Sequence, residues 1–419
     1  MPYFFLSYAR TPRQDPSDPS DPDRWVHKLY RDLCEHILNL TNAQPGSAGF
    51  MDRETRPGDE WPRELAQALA TCRVFVPLYS PRYFESRNCG KEWFAFARRS
   101  LNQRARTPHI TAPIVPALWV MMSEDNLPDV ARDIQFSHQD LGARYGTDGF
   151  YGIMKVNRYR NDYQLAVLRL AQRIVAVAEQ TRIGAERPAD YMSLENAFGF
   201  HGADRGSRQF QIRLTVVAPS TPNLPEGRGP YHYGPTPQEW RPYRPEISQP
   251  IADYAAGLAT CLGCRPTVGA LGEGPGADNE AAGPGVPGLF LIDAWATQSP
   301  GHQEQLRRID ELDQPWTGVL LPWNRLDPET AAAEESLREG LARYLSRKLA
   351  STPRRWQAAA NGVPTLEEFG ELFAPMAMTM LRRYLRHAPA YPPDDGSPAE
   401  RPRLMAPDAD DPGEPTDEP

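Results

Sequence analysis

The sequence is poor in every feature that would place it in a membrane or an oxidising compartment. Nowhere do 18 apolar residues run together, so no membrane span is expected. Met1 to Arg10 has no basic n-region, and its apolar run is too short for a signal peptide. The five cysteines (Cys34, Cys72, Cys89, Cys261 and Cys264) make no disulfide framework in 419 residues. A cytoplasmic protein with reduced thiols is the expectation. An excess of positive charge is lacking too. The net charge is −8, and residues 389–419 hold nine acidic residues against two arginines, which leaves about −1 for the rest. No basic field points to nucleic acid. The sequence has no HExxH, no EF-hand loop and no serine nucleophile elbow. Cys261-Leu262-Gly263-Cys264 is a single CxxC without a second pair, a poor zinc site. Gly272 to Gly276 lacks the Gly-Lys-Ser/Thr ending of a phosphate loop, and segment 263–288 reads as a flexible surface loop.

What is present is strand–helix alternation. Tyr3 to Tyr8, Arg73 to Tyr79 and Pro113 to Val120 are short apolar runs of the kind buried on both faces of a parallel sheet, with a weaker strand at Ala48 to Asp52. Trp25, Leu29, Leu33, Ile37 and Leu38 share one helix face; Leu65, Ala68, Leu69 and Cys72 mark the next helix. A helix over Tyr163 to Thr181, with Leu165, Leu168, Leu170 and Ile174, closes the first unit. The pattern predicts a doubly wound α/β fold. Residues 182–207 lack periodicity and read as a connection. A second series follows: strands at Phe210 to Val216, Gly288 to Trp295 and Gly318 to Leu321, and helices from Pro250, from Asp327-Pro328 and from the capping box Thr365-Leu366-Glu367-Glu368. The expected domains are 1–181, a linker 182–207, a second α/β unit 208–388, and a disordered Pro/Asp-rich tail 389–419. The halves share a rhythm that suggests a diverged duplication.

The most informative stretch is Ser86-Arg87-Asn88-Cys89-Gly90-Lys91-Glu92-Trp93, which opens a helix after the Arg73 to Ser80 run. A carboxylate there, beside the carboxyl edge of a parallel sheet, lies where open α/β folds bind ligands. With Phe4 to Arg10, Phe50-Met51-Asp52, Pro57-Gly58-Asp59-Glu60-Trp61 and Val74 to Phe84, this order of motifs resembles a bacterial TIR domain over roughly 1–181. The resemblance implies a flavodoxin-like, five-stranded parallel sheet, and residues 53–61 match the BB loop between the second strand and second helix. It also implies NAD+ as substrate, with no further cofactor, and cleavage between nicotinamide and ribose. Nicotinamide leaves from a nitrogen that already carries positive charge, so one carboxylate facing the oxocarbenium-like transition state suffices.

By the Ser-x-x-Cys-x-x-Glu spacing the catalytic carboxylate falls on Glu92. Ser7, Arg10, Asp52, Trp61 and Ser86 fall at positions that would hold the dinucleotide or close the site. Each has a plainer reading: Arg10 as a partner of a loop aspartate, Trp61 as a loop anchor, Ser7 as a small strand-end residue. Two departures stand out. Asn88 occupies the place where many active TIR domains have Trp, leaving Trp93 or Tyr83 to supply a ring. Thr11 to Asp23 is a Pro/Asp-rich insertion. The second half, with the overall layout, resembles FxsC-type TIR-like proteins of FxSxx-COOH peptide systems in high-GC bacteria. That resemblance implies TIR–TIR assembly and peptide-maturation partners as the alternative to catalysis. No Cys-x-x-Glu follows Leu289 to Trp295, so a second TIR-like unit would be catalytically silent, with Asp293 a candidate ligand or capping residue.

Overall fold

The computed structural model describes residues 1–387 except 14, 16, 18–19, 53–60, 108–111, 124–125, 133, 135–137, 200–209, 272–285 and 313. The first unit runs β1 (Phe4–Ser7), α1 (Arg24–Leu40), β2 (Gly49–Met51), α2 (Trp61–Thr71), β3 (Val74–Tyr79), α3 (Pro81–Glu85), α4 (Arg87–Arg106), β4 (Ala117–Leu118), α5 (Asp129–Arg132), α6 (Ala143–Lys155) and α7 (Arg160–Gln180). All strand pairs are parallel, in the order β2-β1-β3-β4. Every residue of β1 and β3 is buried, as apolar runs covered by helices on both faces must be. Phe5 stacks between Phe50 and Phe75 at 5.4 and 5.8 Å, and Phe75 stacks on Phe96 of α4 at 5.2 Å. The β1–β3 ladder ends at Ser7 opposite Pro77, which has no N–H to extend it.

Among the described residues the sheet has four strands, one fewer than the resemblance implies. The fourth is short as well. Pro113 and Pro116 interrupt the expected run Pro113 to Val120, leaving Ala117–Leu118 and a single bridge from Ile114 to Phe75. Beyond it the chain turns helical, and α6 breaks at Gly149, whose φ is +66° and where a Cβ would fall 2.6 Å from the Trp119 carbonyl oxygen. The α1 face is as expected, with Leu29, Leu33 and Ile37 fully buried. On α7, Ala166, Val167, Leu170, Ala171 and Ile174 face the core and Leu165 points outward, 41% exposed. Small residues let α7 lie close to the sheet, so its inner face is offset from the one read from the leucines.

The second unit runs β5 (Gln211–Val217), α8 (Ile251–Cys261), β6 (Arg265–Ala270), β7 (Gly288–Ile292), α9 (Pro300–Glu311), β8 (Thr317–Leu320), α10 (Pro328–Ala332), α11 (Glu334–Tyr344), α12 (Ser346–Ser351), α13 (Gln357–Asn361) and α14 (Leu366–His387). Its strands are again parallel, in the order β6-β5-β7-β8. This is the strand order of the first sheet. The part of segment 263–288 expected as loop contains β6, a partly exposed edge strand whose Pro266 and Gly269 and shortage of large apolar side chains hide it from hydrophobic pattern. Residues 272–285 and the tail 389–419 lie outside the described residues.

The two sheets share one continuous apolar core. Its hinge of contact is α4 against α8: Leu101 packs where Gly257 leaves no room for a Cβ, and the Tyr254 hydroxyl donates to Asn102 Oδ1 at 2.7 Å. Arg106 and Glu246 pair beside them at 2.9 Å. The connection is not a loose tether. Ile183, Tyr191, Leu194, Ala197 and Phe198 are all buried.

Candidate active site

Glu92 lies in the second turn of α4, and its carboxyl is brought to the carboxyl end of β1. Ser7, the last residue of that strand, donates its hydroxyl to Glu92 Oε2 at 2.5 Å and lies 3.0 Å from the Tyr83 hydroxyl. Ser7, Tyr83 and Glu92 are 1%, 0% and 4% exposed. A carboxylate so far from water is costly unless a cation or several donors compensate it. Here burial pushes the Glu92 carboxyl up to about 8; the Ser7 bond pulls it down, Asp52 raises it and Arg10 lowers it. The adjacent Cys89 thiol is likewise pushed well up by burial, then by the Glu92 charge.

Arg10 and Asp52 form an ion pair at 2.9 Å, with side chains 47% and 17% exposed. Both charges are felt by Glu92. The partner of Arg10 is therefore Asp52, from the strand end next door, and the Tyr8 hydroxyl steadies that turn by donating to the Asp52 carbonyl at 3.2 Å. The insertion folds back at its far end, where the Thr11 N–H donates to Asp23 Oδ1 at 3.0 Å. Ser86 is the N-cap of α4, accepting from the Cys89 N–H at 3.3 Å. Residues 53–60 and the Trp61 side chain lie outside the described residues. The arrangement thus brings Ser7, Arg10, Asp52 and Glu92 around one strand edge, while Ser86 holds the helix that carries Glu92.

Neither ring considered as a substitute at Asn88 is available to a ligand. Tyr83 is fully enclosed, and Trp93 is 2% exposed among Phe75, Tyr79 and Phe198. The ring that does reach Asn88 comes from the connection. The Tyr191 hydroxyl donates to the Asn88 carbonyl at 3.4 Å, and burial with the charges of Glu92, Cys89 and Asp52 drives its phenol far above the ordinary range. Lys91 reaches outward from α4 and donates to the Tyr191 and Met192 carbonyls at 3.1 and 2.9 Å. Nothing in the spacing of 182–199 signalled these contacts; two aromatics in an aperiodic stretch were the one available hint.

In the second unit Asp293 sits at the end of β7 and accepts from the Tyr233 hydroxyl at 2.5 Å and the Trp295 N–H at 3.1 Å. The Trp295 bond is the helix-capping one, and the Tyr233 hydroxyl, itself held by Arg228, is a second partner. Cys261 and Cys264 flank the end of α8, where burial pushes both thiols up to about 12. Among the described residues no three His, Cys, Asp or Glu side chains are grouped to hold a metal ion, and no helix is long and apolar enough to cross a membrane.

No curated protein and no solved structure matches the chain. Residues 4–144, however, match the TIR domain family, and with their parallel α/β sheet they identify the N-terminal unit as a TIR domain.

Proposed function

We propose that the N-terminal unit cleaves the bond between nicotinamide and ribose in NAD+, with Glu92 stabilising the ribosyl oxocarbenium and no further cofactor. The observation that supports this reading is a buried carboxyl, bonded among the described residues to a hydroxyl, at the carboxyl edge of a parallel sheet in a TIR domain. Leaving-group departure needs no acid, since nicotinamide leaves neutral from a cationic nitrogen. What the site must supply is negative charge on the face of the ribose. Burial favours the neutral acid of Glu92. A cationic ligand beside it favours the carboxylate, so substrate binding and deprotonation help one another. Ser7 fixes the carboxyl, while Arg10 and Asp52 would meet the phosphates or help close over the dinucleotide.

The test is nicotinamide release from NAD+ by concentrated protein, alongside Glu92→Ala. Loss of release by about 100-fold or more in the variant is expected for removal of a transition-state charge partner. Equal release from both proteins takes Glu92 out of the reaction. Release by the native protein should also rise with pH up to about 8, where the enclosed carboxyl ionises.

A second reading has its own observation. Glu92 is 4% exposed, which suits a TIR unit that works by assembly. Self-association is common among TIR domains, and a scaffold for a peptide-maturation system of the FxSxx-COOH kind would need no reaction at all. No release at any protein concentration or from a forced oligomer would favour that scaffold.

A further inference from the structure

The segment joining the two units runs back along α4 toward Glu92. It is pinned first at the far end of that helix, where the buried Arg99 donates to the Gly184 carbonyl at 2.7 Å and the Glu186 N–H donates to the Ala70 carbonyl at 3.0 Å. It then crosses α2 and α4 over a small cavity of about 20 Å³, walled in part by Leu69, Ala70, Arg98 and Leu194. That is about the room one water needs. At the first turns of α4 it closes down. Lys91 holds two of its carbonyls, and the Ala197 N–H donates to the Gly90 carbonyl at 3.2 Å. Phe198 lies against Tyr83, Phe84 and Trp93 at 5.7, 5.3 and 5.7 Å between ring centres. Asn196 sits so close to Gly90 that a Cβ there would fall 1.6 Å from its Oδ1.

The consequence is enclosure. Ser7, Tyr83, Cys89, Glu92 and Tyr191 are all 4% exposed or less, so in this arrangement none of them presents an open face to a ligand. The contacts on the outer side of the segment are of a different kind. Glu195 pairs with Arg382 of α14 at 3.3 Å across to the second unit, and the arginine is 55% exposed. We propose that residues 190–198 are an intramolecular latch: seated, they shut the Glu92 site; lifted, they open it, and the second unit biases the choice through Glu195 and Arg382. The proposal rests on Glu92 being the ligand-facing carboxyl of the TIR unit.

Cys89 reports the latch without reference to any reaction. Its thiol is 2% exposed and held protonated by burial, so alkylation requires the cover to lift. Cys72, fully buried just after α2, reports unfolding in the same sample. The experiment treats the full chain with N-ethylmaleimide under native conditions and follows both cysteines by peptide mass spectrometry. It compares the native protein with Lys91→Met and with Arg382→Glu. Lys91→Met should alkylate at Cys89 about 10-fold faster, and Arg382→Glu about 3-fold faster, with Cys72 unchanged. Rates within about twofold of native in both variants, or acceleration only in step with Cys72, overturn the latch. Nicotinamide release on the same samples separates the two ideas. Faster alkylation with no release keeps the latch and removes NAD+ cleavage; release that proceeds with unchanged Cys89 alkylation in both variants removes the latch and keeps the cleavage.

Discussion

The two sheets have the same strand order and bury carboxyl groups beyond their strand ends, and two of these, Glu92 and Asp327, are treated in opposite ways. In the first, Glu92 meets a serine hydroxyl, and burial drives it up to about 8. In the second, Asp327 follows β8 at 5% exposure and is met by Arg228 at 2.5 Å and the Thr330 hydroxyl at 2.8 Å, with His232 3.6 Å away. Burial alone would raise it, but Arg228 and Thr330 outweigh burial and hold Asp327 below the usual range. Arg228 is itself fastened on every side: to Glu329 at 2.9 Å, to the Tyr233 hydroxyl at 2.9 Å, and between the rings of Tyr233 and Trp295 at 5.1 Å each. A closed network of that kind is a strut. Among the described residues no cation is hydrogen-bonded to Glu92, which leaves room for a cationic ligand, and that is why the first edge and not the second carries the functional proposal.

The comparison is broken most directly at Arg228. Arg228→Met removes the cation and leaves Asp327 buried without it, which should destabilise the protein by about 3–5 kcal/mol in urea unfolding. A loss below about 1 kcal/mol would mean the network contributes little and the contrast with Glu92 is false. Glu92→Gln should act in the other direction. A carboxyl near 4.5 when unfolded and about 8 when folded binds more protons in the native state between those values, so stability falls as pH rises from 4.5 to 8. The glutamine variant lacks that dependence. At pH 8 it should be more stable than the native protein by up to a few kcal/mol, roughly, and at pH 4 the difference should vanish. A native stability flat across that range would mean Glu92 is better solvated than its burial implies.

Much of this contrast could be read from residue types, and the limits have physical causes. The Phe4 to Tyr8 and Val74 to Tyr79 runs are buried on both faces and announce themselves, as does the Leu29, Leu33 and Ile37 stripe of α1. The Ser-x-x-Cys-x-x-Glu spacing put Ser86 at the cap and Glu92 on the inward face, and the strand end put Ser7 beside it across 85 residues. Asp293 and Asp327-Pro328 were visible as strand-end and helix-start residues, but not Arg228. A buried arginine in a loop of short 3-10 turns has no period to betray it. The same holds for Tyr191 and Phe198, whose partners lie about 100 residues away and whose neighbours in sequence share no face. Edge strand β6 escaped because exposure removes the hydrophobic signal on which strand assignment depends.

A smaller effect sharpens the comparison at the seam between the sheets. Tyr254→Phe deletes the bond to Asn102, a buried amide on the same helix as Glu92. The cost should be about 1 kcal/mol, with the amide then lacking a partner it had. If the shared core couples the units, thermal unfolding stays a single transition in this variant, monitored by tryptophan fluorescence and by circular dichroism. Two separated transitions would show that each sheet stands alone and that α4 does not transmit strain from one to the other.

The smallest stability effect belongs to Arg10, and its size is the point. Its pair with Asp52 is half exposed, so Arg10→Ala should change stability by about 0.5 kcal/mol or less. Ligand binding separates the two readings of this residue. If Arg10 meets the phosphates of a dinucleotide, the variant should weaken NAD+ by about 10-fold, since a charge-assisted bond to phosphate contributes about 1.5 kcal/mol or more. The dependence of that affinity on salt should shrink with it. If Arg10 only steadies the turn at Asp52, affinity and salt dependence both stay native. In that case the first sheet keeps an uncompensated carboxyl but loses the cation that would draw an anionic ligand to it, and the edge would favour a neutral or cationic ligand over a dinucleotide.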